Sequence, residues 1–209
     1  ALTTTDGIPS IAITPDTSKP ILDIDVYYTQ QGQNNGQPDD RDNTMNRFWH
    51  HAAATRQGDV WTAALPVSNT EKPLWVYANV VYPLATPVTG AGYYYRSYTA
   101  TKFNLSSLVH LVSAGKLRAA GVAAMPKPSP MIETFTGTWE KEWFAYHPGE
   151  WPRTTHKVYD PQWAAPEGAK LALEVRCEQP NKLVVGLDDY AAEIALKGGP
   201  EWQYVVLSG

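Results

Sequence analysis

The stretch Pro73-Leu74-Trp75-Val76-Tyr77-Ala78-Asn79-Val80-Val81-Tyr82-Pro83 decides the fold. β-Branched and aromatic residues crowd between two prolines, a composition that suits a pleated strand. The near-continuous apolar character predicts burial on both faces. Upstream, Arg47 to Thr55 and Val60 to Pro66 flank Arg56-Gln57-Gly58-Asp59, a hairpin signal in which Gly58 can supply a positive φ. Ile21 to Tyr28 alternates and reads as another strand. Ala1 to Pro20 is a Thr-, Ser- and Pro-rich lead-in with one edge strand, at Ile8 to Ile13. Thr29 to Asn46 is polar and rich in Gly, Asn and Asp, the composition of a long exposed loop. Strands at turn spacings of about ten residues predict an immunoglobulin- or fibronectin-like β-sandwich.

Downstream, Tyr93-Tyr94-Tyr95 and Tyr98 suggest one more strand. Phe103 to Gly121 differs. Asn104 or Ser106 can cap a short helix on which Leu108, Leu111 and Val112 recur at helical spacing, with Gly115 and Gly121 interrupting or ending it. Ala123 to Pro130 holds three prolines and reads as a linker. Beyond it, Phe135 to Trp151 is aromatic and turn-rich. Four strands follow: Leu171 to Cys177, Lys182 to Leu187, Tyr190 to Leu196 and Trp202 to Leu207. Gln179-Pro180-Asn181 reads as a hairpin turn between the first two, Asp188-Asp189 as a turn, and Lys197-Gly198-Gly199-Pro200 as a turn between the last two. The expected fold is all-β, with two β-sandwich units: residues 1–122, immunoglobulin/fibronectin-like with a short helical connector, and residues 131–209, jelly-roll-like.

With 43% hydrophobic and 18% charged residues, the composition is that of a folded globular protein. The net charge of −4 and the scattered Lys and Arg argue against a nucleic-acid partner. No apolar run reaches the ~18–20 residues that span a membrane. Ala1 to Asp6 lacks the features of a signal peptide, so either a signal has been removed or the chain starts inside a longer one. The single cysteine, Cys177, shares parity with Leu171, Leu173 and Val175 and reads as a buried, inert thiol.

Chemistry-bearing motifs are missing. The sequence holds no G-x-S-x-G elbow, no phosphate-binding glycine loop and no C-x-x-C or H-E-x-x-H metal signature. No cofactor is expected. His50 and His51 are adjacent on a strand, so they point to opposite faces and cannot share a metal. Asp39-Asp40-Arg41-Asp42 could offer oxygen ligands to calcium, but without EF-hand spacing, and a solvated loop is favoured. Glu133, Glu140, Glu142 and Glu150 lie among aromatics, as carboxylates do in a glycosidase cleft. The aromatic residues are the better lead, with 8 Trp and 12 Tyr in the chain. Ring faces stack on the C–H faces of sugars, and polar groups bond the hydroxyls. Trp61, Trp75 and Trp202 fall in strands and are assigned to the core. Trp139, Trp143, Trp151 and Trp163 fall in turn-rich segments, and with Arg153, Asp160 and Gln162 they form the candidate carbohydrate-binding set.

Two stretches carry a resemblance. Arg47-Phe48-Trp49, Gly58-Asp59-Val60-Trp61-Thr62-Ala63-Ala64-Leu65-Pro66 and Pro73 to Val80 resemble the β-sandwich behind the catalytic domain of bacterial α/β-hydrolases of the dienelactone-hydrolase and PhoPQ-activated-protein type. Trp143-Phe144, Gly168 to Val175, Tyr190 to Leu196 and Glu201 to Ser208 resemble jelly-roll carbohydrate-binding-like modules. Such modules usually continue with an Asp-Phe step and further strands. This chain stops at Gly209, so it is a fragment, or those strands are absent or come from a partner chain. The resemblance implies a non-catalytic accessory region of a secreted hydrolase, extracellular or periplasmic, with a polysaccharide or oligosaccharide and the attached hydrolase domain as partners. The alternatives are a structural or oligomerisation module packed on such a domain, and a small carboxylate-dependent enzyme.

Overall fold

The computed structural model describes residues 2–32, 47–91, 97–125, 130–145 and 152–207. Antiparallel strands dominate it, and the fold is all-β. The chain forms two compact units, Ala1–Ala164 and Ala165–Gly209. The division lies past the proline-rich stretch, because residues 130–145 and 152–164 fasten to the first sandwich. Lys141 Nζ bonds Asp25 at 2.8 Å, and His50 Nε2 lies 3.0 Å from Asp160. The start of the expected linker is also tied down: Ala123 N–H donates to Gly7 O and Met125 N–H to Val67 O.

The first unit is built on two sheets. One has the order β1 (Leu2–Thr5), β2 (Ile8–Ile13), β6 (Val60–Ala64), β5 (Thr55–Gln57). The other has the order β4 (His50–Ala53), β3 (Asp23–Thr29), β7 (Leu74–Ala91), β8 (Ser97–Ser106), with β9 (His110–Val112) also on β7. The lead-in is thus a hairpin of two strands rather than one strand. Asp6 and Gly7 turn it, with φ of 52° and 80°, which suits a two-residue hairpin loop. A Cβ on Gly7 would lie 2.8 Å from the Ala123 Cβ, so this position needs glycine for space as well as for φ. Between β4 and β5 the chain switches sheets, at Ala54.

β7 runs on from the apolar stretch to Ala91, with a register shift between Pro83 and Val88. Leu74, Val76, Ala78, Val80 and Tyr82 are buried on one face, while Trp75, Tyr77 and Asn79 are only half-buried on the other. Burial on both faces is therefore incomplete. The core fills between the sheets with Ile24, Val26, Tyr28, Ala63, Leu65 and the inward face of β7. Each fully buried Leu or Val there contributes about 1.5–3 kcal/mol.

The helical connector is shorter and later than expected. Phe103 to Ser106 completes β8, and Leu111 and Val112 pair with Trp75 and Leu74, so their side chains serve the sheet. The helix, α1, is Ala114–Ala119; Ser113 caps it by accepting from Lys116 N–H, and Leu117 plugs the core with no exposure. Tyr93 to Tyr95 lie outside the described residues.

The second unit holds β10 (Leu171–Val175), β11 (Asn181–Leu187), β12 (Tyr190–Leu196) and β13 (Gln203–Leu207). β11 pairs β12 across the Asp188-Asp189 turn, and β10 pairs β13 outside them. The strands on either side of Gln179-Pro180-Asn181 are not partners, contrary to the hairpin turn expected there, and Lys197 to Pro200 joins β12 to β13 without pairing them. The pairing Val175↔Gln203 gives way to Asn181↔Leu196 across a break, so the unit is one long hairpin interrupted in the middle. It has four of a jelly roll's eight strands. Alternate residues are half-buried, among them Leu171, Leu173, Leu183, Ile194 and Val205, and Leu196 is buried. Cys177 is half-buried rather than buried, because β10 ends before it.

Candidate functional site

β4 is the edge of its sheet, and residues 130–145 and 152–164 clasp it on both sides. Because adjacent strand residues point to opposite faces, His50 and His51 diverge as expected, and each meets a different carboxylate. On one face His51 Nε2 lies 2.8 Å from Asp25 Oδ1 and its Nδ1 3.4 Å from Thr138 Oγ1. The His51 N–H donates to Glu142 Oε1 at 2.9 Å, which satisfies a group that an edge strand would leave open. On the other face His50 bonds Asp160, and its ring stacks on Tyr28 and Trp163. Burial pushes both aspartates up, but hydrogen bonds outweigh it: His51 and Lys141 hold Asp25 below the ordinary carboxylate range, and His50 and Gln162 do so for Asp160.

The centre of the clasp is Lys157, with 6% side-chain exposure. Its ammonium lies 2.7 Å from both Glu133 and Glu142 and faces the rings of Phe48 and Trp163. Burial pushes Glu133 up, but the Lys157 bond and the Thr134 N–H hold it below its usual value. A glycosidase acid needs the opposite shift. Glu140 pairs with Arg153 at 3.0 Å, and Glu150 lies outside the described residues. The Thr138–His51–Asp25 chain has hydroxyl, imidazole and carboxylate in relay order. Its 3.4 Å hydroxyl contact is long, however, and Lys141 neutralises the carboxylate that would support an imidazolium.

The candidate carbohydrate-binding residues fall into two groups. Trp139, Trp143 and Arg153 come together. The Trp139 and Trp143 ring centroids are 6.2 Å apart, and the Arg153 guanidinium sits 5.1 Å from the Trp139 ring. Trp163, Asp160 and Gln162 gather instead around His50, where Gln162 Nε2 lies 3.2 Å from His50 Nε2. Trp151 lies outside the described residues. The N–H groups of both Trp143 and Trp163 are engaged: Trp143 donates to the part-buried Glu133 carboxylate, and Trp163 donates to the Met131 carbonyl at the surface.

Phe135 joins the first group and was not in the candidate set. Its φ is 54°, a left-handed conformation that costs a bulky residue about 1–3 kcal/mol. Its ring is 52% exposed, edge-on to Trp139 at 5.1 Å and 5.6 Å from Trp143. Gly137 also has positive φ, and Phe135-Thr136-Gly137 is the only sequence signal of this kink. Trp139 and Trp143 are half-buried, so the three rings form an open-sided cluster with Arg153 and Glu140 at its rim.

Comparison with protein-family models, curated proteins and solved structures gives no match. The site stands on its geometry alone.

A cavity of about 360 Å³ lies beside the second group, lined by Gln30, Gln31, Ser68, Asn69, Lys72, Asp160, Pro161 and Gln162. Its amides are largely committed: Gln30 Oε1 accepts from Ser68 and Asn69, and Gln31 bridges Phe48 N–H and Tyr159 O. It offers no aromatic face. Among the described residues, no group of three or more His, Cys, Asp or Glu is placed to hold a metal ion, and Asp39 to Asp42 lie outside them. No helix among the described residues is long and apolar enough to cross a membrane.

Proposed function

We propose that the chain is a non-catalytic accessory region of a secreted hydrolase, extracellular or periplasmic, and that it recognises carbohydrate through Phe135, Trp139 and Trp143 with Arg153 and Glu140 at the rim. The observation that carries this reading is Phe135. Its backbone holds a strained conformation that displays an aromatic ring to solvent beside two tryptophans. Strain of this kind persists only where the surroundings impose it, and it clusters at ligand sites. Exposed rings supply apolar contact to a sugar face, and the charged pair bonds hydroxyls. Affinity is weak, because the sugar surrenders hydration for a shallow, one-sided contact.

A structural module is the second reading, favoured by the N–H groups of Trp143 and Trp163, which are both engaged within the chain. Calorimetry against plant and algal polysaccharides separates the two. Sugar recognition requires binding that Phe135→Ala and Trp139→Ala each abolish while the fold is kept. No binding at millimolar glycan leaves the structural module, and binding indifferent to both substitutions removes this site.

A further inference from the structure

The sequence places Trp202 within the strand Trp202 to Leu207 and in the core, and the structure differs on both. It precedes β13 and is 62% exposed, and Tyr204 is 69% exposed. Tryptophan is highly buried on average, and Tyr190 is a third exposed ring on this small unit at 82%, so the pair aligned along β13 calls for a cause. Both keep the outward parity of β13, and Val206 continues the row at 46% exposure. Two-residue steps along a strand are about 6.5 Å, on the scale of one pyranose ring.

The paired strand shapes the surroundings of this row. Glu174 lies opposite Tyr204 and Ala172 opposite Val206. A carboxylate therefore flanks the rings at one place, and a small residue leaves them standing clear at the other. Beyond β10, the Arg176 guanidinium sits 5.1 Å from the Trp202 ring centroid and donates to the Pro200 carbonyl at 3.5 Å. One indole face is thus backed by a cation, which steadies the ring.

The two rings of the β13 row alone are too small for a protein partner, and Val206 adds little to them. At 150–250 Å² per aromatic side chain, the two rings offer roughly 200–350 Å². A stable interface takes about 800 Å² from each side. A narrow aromatic row with hydrogen-bonding groups along it fits an extended chain ligand instead. One carboxylate and one guanidinium nearly cancel, so the row holds no net charge to favour a polyanion.

We infer that Trp202, Tyr204, Glu174 and Arg176 form a second glycan platform, on the outer face of the β10–β13 ladder, for an extended neutral saccharide. It shares a ligand class with the proposed site in the first unit and rests on different residues. Sugar rings stack on Trp202 and Tyr204, and the flanking charges bond their hydroxyls.

Affinity electrophoresis of the full chain tests the inference, in native gels containing hydroxyethylcellulose, soluble xylan or, as a polyanion, alginate. The proteins are the parent, Trp202→Ala, Trp202→Phe and Trp139→Ala. A neutral polymer should retard the parent. Trp202→Ala should weaken that binding by about tenfold or more, while Trp202→Phe stays within about threefold. Retardation unchanged in Trp202→Ala but lost in Trp139→Ala overturns the platform and leaves the first-unit site standing. The reverse pattern supports the platform and removes the first-unit site. No retardation by either neutral polymer overturns both, and stronger retardation by alginate overturns the neutral-glycan assignment. A dimer of the parent that Trp202→Ala dissociates would make this face a self-association surface and overturn the inference.

Discussion

Lys157→Met should be the most damaging single substitution in the clasp around β4. Methionine keeps most of the side chain's length and its contact with Phe48 and Trp163, and removes only the charge. Lys157 stands between Glu133 and Glu142 at 2.7 Å from each, and the three side chains are 6%, 10% and 17% exposed. Without the cation, two carboxylates face one another with little water to separate them. Breaking a buried ion pair from one side costs about 3–5 kcal/mol. Glu142 keeps the His51 N–H and is the more exposed of the two, so the lower end, about 3 kcal/mol, applies. The cost depends on pH. In the variant, Glu133 loses the Lys157 bond that holds its carboxyl down, and burial and the facing carboxylate favour its protonated form. Protonated Glu133 then suits the fold, and the deficit shrinks as pH falls from 8 toward 5. Urea unfolding followed by tryptophan fluorescence at several pH values measures both effects, and adding Glu133→Gln to Lys157→Met should restore part of the loss. A deficit below about 1 kcal/mol at pH 8, or one that does not shrink at pH 5, would refute the ion-node argument.

Other outcomes follow from the same geometry. Asp25 and Asp160 have depressed carboxyl pKa values, so their stabilisation is complete above the ordinary value of about 3.9 and is lost as pH falls below it. An acid titration of near-ultraviolet circular dichroism should show the first unit loosening below about pH 4, and Asp160→Asn should weaken that dependence. Leu117→Ala should cost about 2–5 kcal/mol in the same urea assay, since it empties a fully enclosed position between α1 and the sandwich. Gly7→Ala should cost about 1–3 kcal/mol through its positive φ and the clash with Ala123, whereas Gly58→Ala, with open space around it, should cost less.

The strands were legible because their signals are local. Tyr190 to Leu196 alternates cleanly and forms β12 at those bounds, and Gly58 turns the hairpin between β5 and β6. Pairing was not legible, because it depends on contacts far apart in sequence. Nothing near Gln179 shows that β10 passes over β11 to join β13. The clasp was hidden for the same reason: Asp25, His51, Lys141 and Lys157 meet across more than half the chain. Trp202 reads as core because it opens the apolar run Trp202 to Leu207, but β13 starts one residue later and its outward parity leaves the ring in solvent. Phe135 was invisible as a site residue because its role lies in a backbone angle, and a non-glycine residue at positive φ leaves no compositional mark.

The nested register of the second unit also fixes an order of events. β11 and β12 meet across a two-residue turn, so they can zip on the microsecond timescale of a hairpin, on the order of 1–10 μs. β10 and β13 are the far ends of the same strip and gain nothing by meeting first, since the whole span from Leu171 to Leu207 would have to be closed as an open loop. Once the inner pair is set, Val175 and Gln203 are brought close and the remaining search is short. The platform that carries Trp202 and Tyr204 is therefore the last part of this unit to assemble and the first to fray. Its occupancy by a ligand should raise the protection of its amide hydrogens against exchange more than that of β11 and β12, which are already secured by their turn.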